Sequence, residues 1–189
     1  QKFEIIKGGL LMKNIILGIT GSIAAYKAAD LANQLSKEGH NVTVLMTESA
    51  TKFITPLTLQ TLSKNKVHID VFDEETPKNV THITLAQNAD LFLIAPATAN
   101  IIGKLVYGIA DDMLTSTFLA LNNVPIFIAP AMNTNMYENP IVTENIEKLK
   151  KIGATIVEPR ESLLACGDLG KGALADISDI LKAITPILK

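Results

Sequence analysis

Cysteine is nearly absent from this chain. Cys166 is its single thiol, so no intramolecular disulfide can form, and a reducing cytoplasmic setting is expected. No apolar run reaches bilayer-spanning length, which argues against a membrane helix. Nor is there a Lys/Arg cluster: 17 basic residues face 19 acidic ones, and neither nucleic acid nor a membrane surface is an expected partner. Internal repeats, low-complexity tracts and linkers are also missing. At 189 residues the chain holds one sizeable core and is short for two, so a single domain that handles a small molecule is the remaining class. Residues 1–11, "QKFEIIKGGLL", lack the basic start, long apolar segment and small-residue cleavage site of a secretory signal. They read as an N-terminal extension or cloning remnant, with the domain proper over 12–189.

What is present is a repeated alternation. "NIILGI" at 14–19 is a short apolar run ending at glycine, and Ala24, Ala28, Leu31 and Leu35 then recur at helical spacing up to Gly39. "NVTVLM" follows at 41–46, then "DLFLIAP" at 90–96, "VPIFIAP" at 124–130 and "ATIVEP" at 154–159, with helical patterns between them. Strands apolar throughout have no solvated face, so the pattern predicts a parallel sheet covered by helices on both sides. The expected fold class is α/β: a flavodoxin-like or Rossmann-like three-layer, doubly wound sheet. "FDEETPKNV" at 72–80 reads as a surface loop, and the last helix should bury Ile177, Ile180, Leu181 and Ile184.

Four strands end in small, hydroxyl or amide residues: "GITGS", "MTES", "APATAN" and "APAMNTN". Ligands of this architecture bind beyond the carboxyl ends of the strands, so these clusters mark one shared edge as the site. Gly21 and Ser22 suit a phosphate at a helix N-terminus, or equally a tight turn capped by Ser22. The dinucleotide spacing G-x-G-x-x-G is absent, and Thr47 and Ser49 stand where that motif's partner acid would be sought, with Glu48 between them. Thr98 and Asn100 offer a hydroxyl and an amide to the edge of a heterocycle, or simply cap the next helix. His82 shares a helical face with Leu85, Ala86 and Ala89 and points inward from a first turn; it is either a core histidine or a neutral proton acceptor. Asn133 suits a carboxylate or its own turn, while Met132 and Met136 read as packing. No Cys/His spacing suggests a metal site.

Read together and in order, "GITGSIAAYK", "THI", "APATAN", "GIADDMLTST", "PAMNTNMY" and "ACGDLGKGAL" resemble the flavin-dependent cysteine decarboxylases, in the branch that serves coenzyme A biosynthesis. The resemblance runs from about residue 13 to the end. Thr98 stands for the family's Ser, Ile101 for Thr and Tyr137 for Trp. It implies FMN as cofactor, held by Gly21, Ser22, Ile23, Thr47, Ser49, Thr98, Ala99, Asn100 and Ala131. His82, Asn133 and Cys166 would be the catalytic residues, with Asn133, Met136, Ala165 and Cys166 contacting substrate. No metal is implied.

The implied reaction converts 4'-phosphopantothenoylcysteine to 4'-phosphopantetheine and carbon dioxide. A carboxylate on a saturated carbon has nowhere to leave its electrons, so transient oxidation to a thioaldehyde, decarboxylation and re-reduction are needed. Re-reduction needs a proton donor, and a thiol on a glycine-rich loop suits that task. Relatives that stop at the oxidised enethiol, the peptidyl-cysteine decarboxylases, lack the A-C-G loop, so Cys166 favours the saturated product. Flavin-binding phosphatase regulators carry long acidic tails that this chain does not show. The resemblance further implies a homo-oligomer, either a trimer or a dodecamer built of trimers, and a separate phosphopantothenoylcysteine synthetase as the pathway partner.

Overall fold

The computed structural model describes residues 6–7, 10–73, 79–163 and 169–189. Strands β1 (Ile6–Lys7) and β2 (Leu10–Leu11) form a short antiparallel ribbon. Then come β3 (Asn14–Ile19), a 3-10 turn (Ile23–Tyr26), α1 (Lys27–Lys37), β4 (Asn41–Met46), α2 (Pro56–Ser63), β5 (Val67–His68), α3 (Thr81–Asn88) and β6 (Leu91–Ala97). The remainder is α4 (Ala99–Tyr107), α5 (Met113–Leu119), β7 (Ile126–Pro130), α6 (Thr134–Tyr137), α7 (Pro140–Lys151), β8 (Thr155–Ile156), β9 (Arg160–Leu163), β10 (Leu169–Ala173) and α8 (Ile177–Leu188).

The main sheet has the order β5-β4-β3-β6-β7-β8, and every neighbouring pair is parallel. This is the doubly wound three-layer architecture expected from the apolar runs. Its strands follow the Rossmann order, in which winding reverses between β3 and β6. Side chains alternate across a strand, and both faces of this sheet are covered. Ile15, Leu17 and Ile19 of β3 join one core with Leu31 and Leu35 of α1 and Ile180 and Ile184 of α8. Ile16 joins the other core, with Phe92 and Ile94 of β6, Ile101 and Ile102 of α4, and Leu114 and Phe118 of α5. Gly18 lies on this second face because a Cβ there would stand 2.8 Å from Leu114 Cδ1. The final helix buries the face that its spacing indicated, with Ile180 and Ile184 at 0% exposure and Ile177 and Leu181 partly covered.

At the amino-terminal edge a polar ladder holds the strands in register. Asn65 donates to Asn41 Oδ1 at 2.9 Å, Asn41 donates to Asn14 Oδ1 at 2.8 Å, and Asp90 accepts from the Asn14 backbone N–H at 2.8 Å. The opposite edge is thereby left for the strand-end loops.

Two features escape sequence patterning. The strand β5 has two residues, too few to show a period. The segment "LACGDLGKG" at 164–172 reads as a glycine-rich loop, yet Leu169–Ala173 is β10, which pairs antiparallel with β9 as a hairpin. Of "ATIVEP", only Thr155 and Ile156 pair, because β8 is an edge strand that has β7 alone as neighbour. In the expected loop at 72–80, Phe72 is 86% exposed, and residues 74–78 lie outside the described residues. Among the described residues no helix is long and apolar enough to cross a membrane.

Candidate functional site

A cavity of about 590 Å³ opens at the carboxyl ends of β3, β4, β6 and β7, where the winding reverses. Thr20, Gly21 and Ser22 enter it from β3, and Thr47, Glu48 and Ser49 from β4. Thr98, Ala99 and Asn100 enter from β6, and Ala131 and Met132 from β7. The loops meet at close quarters. A Cβ on Gly21 would stand 2.5 Å from Ser49 Cβ, so only glycine allows the two strand ends to converge here.

Buried Thr20 joins the strands across the reversal: its hydroxyl donates to the Pro96 carbonyl at 2.7 Å and accepts from the Thr98 backbone N–H at 3.0 Å. Ser22 and Thr98 are indeed caps. Ser22 Oγ accepts from Ala24 N at 3.2 Å, and Thr98 Oγ1 accepts from Ile101 N at 3.3 Å. Capping uses a hydroxyl as acceptor, and its O–H still donates, so the cap and the ligand roles are compatible in one residue. Thr47 Oγ1 likewise accepts from a backbone N–H, that of Ala50, at 3.2 Å.

The mouth of the cavity is charged. Lys104 donates to both carboxylate oxygens of Asp111 at 2.7 Å, and that bond, opposed by burial, holds the Asp111 carboxyl below its usual range. Asp112 also lines the wall and caps α5 by accepting from Thr115 N at 2.8 Å. Sequence reasoning passed over Thr20, Lys104, Asp111 and Asp112. "GIADDMLTST" contained the two acids, but nothing local to it shows that Lys104 folds back upon them.

A second cavity, of about 390 Å³, adjoins the first, and Ser22, Ala131 and Met132 line both. The hairpin β9–β10 forms one of its sides through Arg160, Ser162 and Gly172. This hairpin lies flat on the loop before α6. Met132 N donates to Gly172 O at 2.9 Å, and a Cβ on Gly172 would collide with Met132 O. Glu158 fastens the same junction, accepting from Tyr137 Oη and from Lys171 Nζ, each at 2.8 Å. Burial works against the Glu158 charge, but the bonds from Lys171 and Tyr137 outweigh it and its carboxyl is held below the usual range. Tyr137 is pushed well above the ordinary phenol range by burial and by the Glu158 carboxylate.

Of the nine residues expected around a cofactor, Gly21, Ser22, Thr47, Ser49, Thr98, Ala99, Asn100 and Ala131 line the first cavity. Ile23 lies instead on the second, 60% exposed. Met136 lines the first cavity and Asn133 the second, where Asn133 Oδ1 caps α6 by accepting from Asn135 N at 2.8 Å. His82 lies in the first turn of α3, half-buried, with Nδ1 enclosed and lacking a hydrogen-bond partner; it lines neither cavity. Ala165 and Cys166 lie outside the described residues.

Residues 7–189 match the model of the Flavoprotein family. The chain is 56% identical to a probable phosphopantothenoylcysteine decarboxylase of Streptococcus mutans, over 92% of this chain and 98% of that one. It is 51% identical to the coenzyme A biosynthesis bifunctional protein CoaBC of Bacillus subtilis, covering 90% of this chain and 42% of that protein. It therefore spans about two fifths of such bifunctional relatives. Among solved structures, a Cys-to-Ser mutant of PPC decarboxylase complexed with pantothenoylaminoethenethiol superposes with a TM-score of 0.83 at 32% identity, over 93% of this chain and 97% of that one.

Proposed function

The chain belongs to the flavoprotein family, in its phosphopantothenoylcysteine decarboxylase branch, and from that premise we propose that it is an FMN-dependent carboxy-lyase acting on 4'-phosphopantothenoylcysteine. It yields 4'-phosphopantetheine and carbon dioxide in coenzyme A biosynthesis. The observation that carries the reading is the polar cavity at the winding reversal, closed by the Gly21–Ser49 approach and bordered by a second, more apolar cavity with Asn133 on its wall.

The donor set fits a flavin mononucleotide. Gly21, Ser22, Thr47 and Ser49 would hold its phosphate with hydroxyls and a closely approaching backbone. Thr98, Ala99, Asn100 and Ala131 would border its ring. A volume of about 590 Å³ suits a ligand of that size. When bound, the flavin supplies a reversible two-electron acceptor beside the substrate thiol. The chain's own residues bind, orient and move protons. Capping engages Asn133 Oδ1, so a substrate carboxylate would be held through Nδ2, a donor. On the motif match His82, which lines neither cavity, would act on the substrate thiol or carboxylate, and Cys166 would deliver the proton that completes the saturated product. The ordered motif match supports these roles. The same match supports a trimer or a dodecamer built of trimers, and a phosphopantothenoylcysteine synthetase as the source of substrate.

The test is a product mass spectrum from purified flavin-loaded protein given 4'-phosphopantothenoylcysteine. Loss of carbon dioxide alone is expected. Loss of carbon dioxide plus two hydrogens would move the chain to its oxidative relatives, and unchanged substrate would refute the reading.

A further inference from the structure

The two cavities differ in charge. Glu48, Asp111 and Asp112 line the first with one cation, Lys104, which is paired with Asp111, whereas the described lining of the second has no carboxylate and two cations, Lys27 and Arg160. The rest of its wall is largely apolar, with Ile23, Ala24 and Leu174 among its residues. Lys27 opens α1, half-buried, and has no ion-pair partner among the described residues. Arg160 reaches the cavity from β9. Its Nε stands 3.4 Å from Asp176 Oδ1, a contact that orients the guanidinium while leaving its two terminal nitrogens for another anion. The two cations come from segments far apart in sequence, α1 and the β9–β10 hairpin, and only the docking of that hairpin brings them to one wall.

Resting on the function proposed above, we propose that this second cavity receives the pantothenoyl arm of the substrate, and that Lys27 and Arg160 recognise its terminal phosphate. Such a substrate has an acid at each end, and between them a gem-dimethyl carbon and methylenes interrupted by a hydroxyl and two amides. A cavity of about 390 Å³ suits that arm, with Ile23, Ala24 and Leu174 for its dimethyl and methylene groups and Ser22, Asn133 and Ser162 for its polar ones. The phosphate, a dianion, is attracted to a Lys/Arg pair, where guanidinium forks two oxygens and ammonium adds a point charge. A solvated lysine and a plain surface ion pair are the bland alternative. Against it stands their convergence on one cavity that adjoins the candidate flavin site and bears no acid in its described lining.

The experiment compares 4'-phosphopantothenoylcysteine with its unphosphorylated counterpart, pantothenoylcysteine, on flavin-loaded protein. The ratio of the two kcat/KM values is internal to each preparation, so a partly folded variant does not distort it. Intact protein should favour the phosphorylated substrate. Lys27→Ala and Arg160→Ala should each lower that ratio about tenfold or more, chiefly through KM, as expected for loss of a hydrogen bond to a charged group. Lys27→Arg, which keeps the charge, should retain most of it. Calorimetric binding of 4'-phosphopantetheine against pantetheine should show the same loss. An unchanged ratio in both alanine variants, or intact protein that treats the substrates alike, overturns the phosphate assignment while leaving the decarboxylase reading standing. Intact protein that decarboxylates neither refutes both.

Discussion

Replacing Gly21 by alanine adds one methyl group at the tightest point of the candidate cofactor site. That Cβ would lie 2.5 Å from Ser49 Cβ, 3.2 Å from the Ser49 carbonyl carbon and 3.4 Å from its oxygen. Non-bonded carbons rest about 3.5–4.0 Å apart, so the two strand-end loops must separate by about 1 Å. Neither can do so freely. Ser49 Cβ is fixed to its backbone, the next residue, Ala50, is fully buried, and Thr20 beside Gly21 is tied to Pro96 and Thr98. Overpacking of this kind costs about 1–3 kcal/mol, which for a domain of this size is a fall in Tm of several degrees. Because the displaced atoms line the cavity, FMN affinity should fall as well, by about tenfold to a hundredfold for that range of free energy. Thermal unfolding of the flavin-free protein and an FMN titration read the two effects separately. Gly103→Ala is the control, since Gly103 is interior to α4 and the nearest atom to its added Cβ is Asn145 Nδ2 at 4.0 Å. There the same change should stabilise, by about 0.5–1 kcal/mol, through helix propensity. If Gly21→Ala melts within a degree of the parent and binds FMN equally well, the convergence of the two loops does not constrain the site and the reasoning fails.

Ile184→Ala in α8 should cost about 2–5 kcal/mol, read by denaturant unfolding, because the side chain is fully buried against the sheet; a loss below 1 kcal/mol would mean that α8 contributes little to the core. Burial holds His40 below its ordinary pKa of 6.5, an effect partly offset by Glu38. The unfolded chain therefore takes up that proton more readily, so stability present above pH 6.5 should decline as pH falls below it, and His40→Gln should flatten that part of the stability profile. Glu158→Gln weakens a partly exposed junction, so its effect on global stability should stay under about 1 kcal/mol; its signature is faster tryptic cleavage after Lys171 on β10, and an unchanged cleavage rate would mean that the hairpin is held by its backbone contacts alone. A Cys166→Ser variant should still release carbon dioxide but accumulate the oxidised enethiol. Saturated product at the parent rate would exclude Cys166 as the proton donor.

Local pattern reached a long way in this protein. Runs such as "NIILGI" and "NVTVLM" declare buried parallel strands because every residue in them must face one of two covered sheet surfaces, and a polar side chain would have no water to face. Their small and hydroxyl-bearing ends then mark one edge of the sheet, and Gly21, Thr47, Thr98 and Ala131 meet there around one cavity. The hairpin is different. The strand β10 is glycine-rich and β9 is mostly charged and polar, so both have little intrinsic strand preference, and their pairing is accompanied by docking onto Met132 and by the Glu158 bonds to Tyr137 and Lys171. Likewise, Lys104 meets Asp111 only because the chain turns back between α4 and α5, and Lys27 shares a wall with Arg160 only because the hairpin lies beside α1. Periodicity and strand-end chemistry are carried by neighbours along the chain, so the sequence alone determined the layers and the edge that holds the site. Which charges face one another across that edge depends on how the chain turns back on itself, over seven residues for Lys104 and Asp111 and over distant segments for Lys27 and Arg160, and tertiary packing alone decided it.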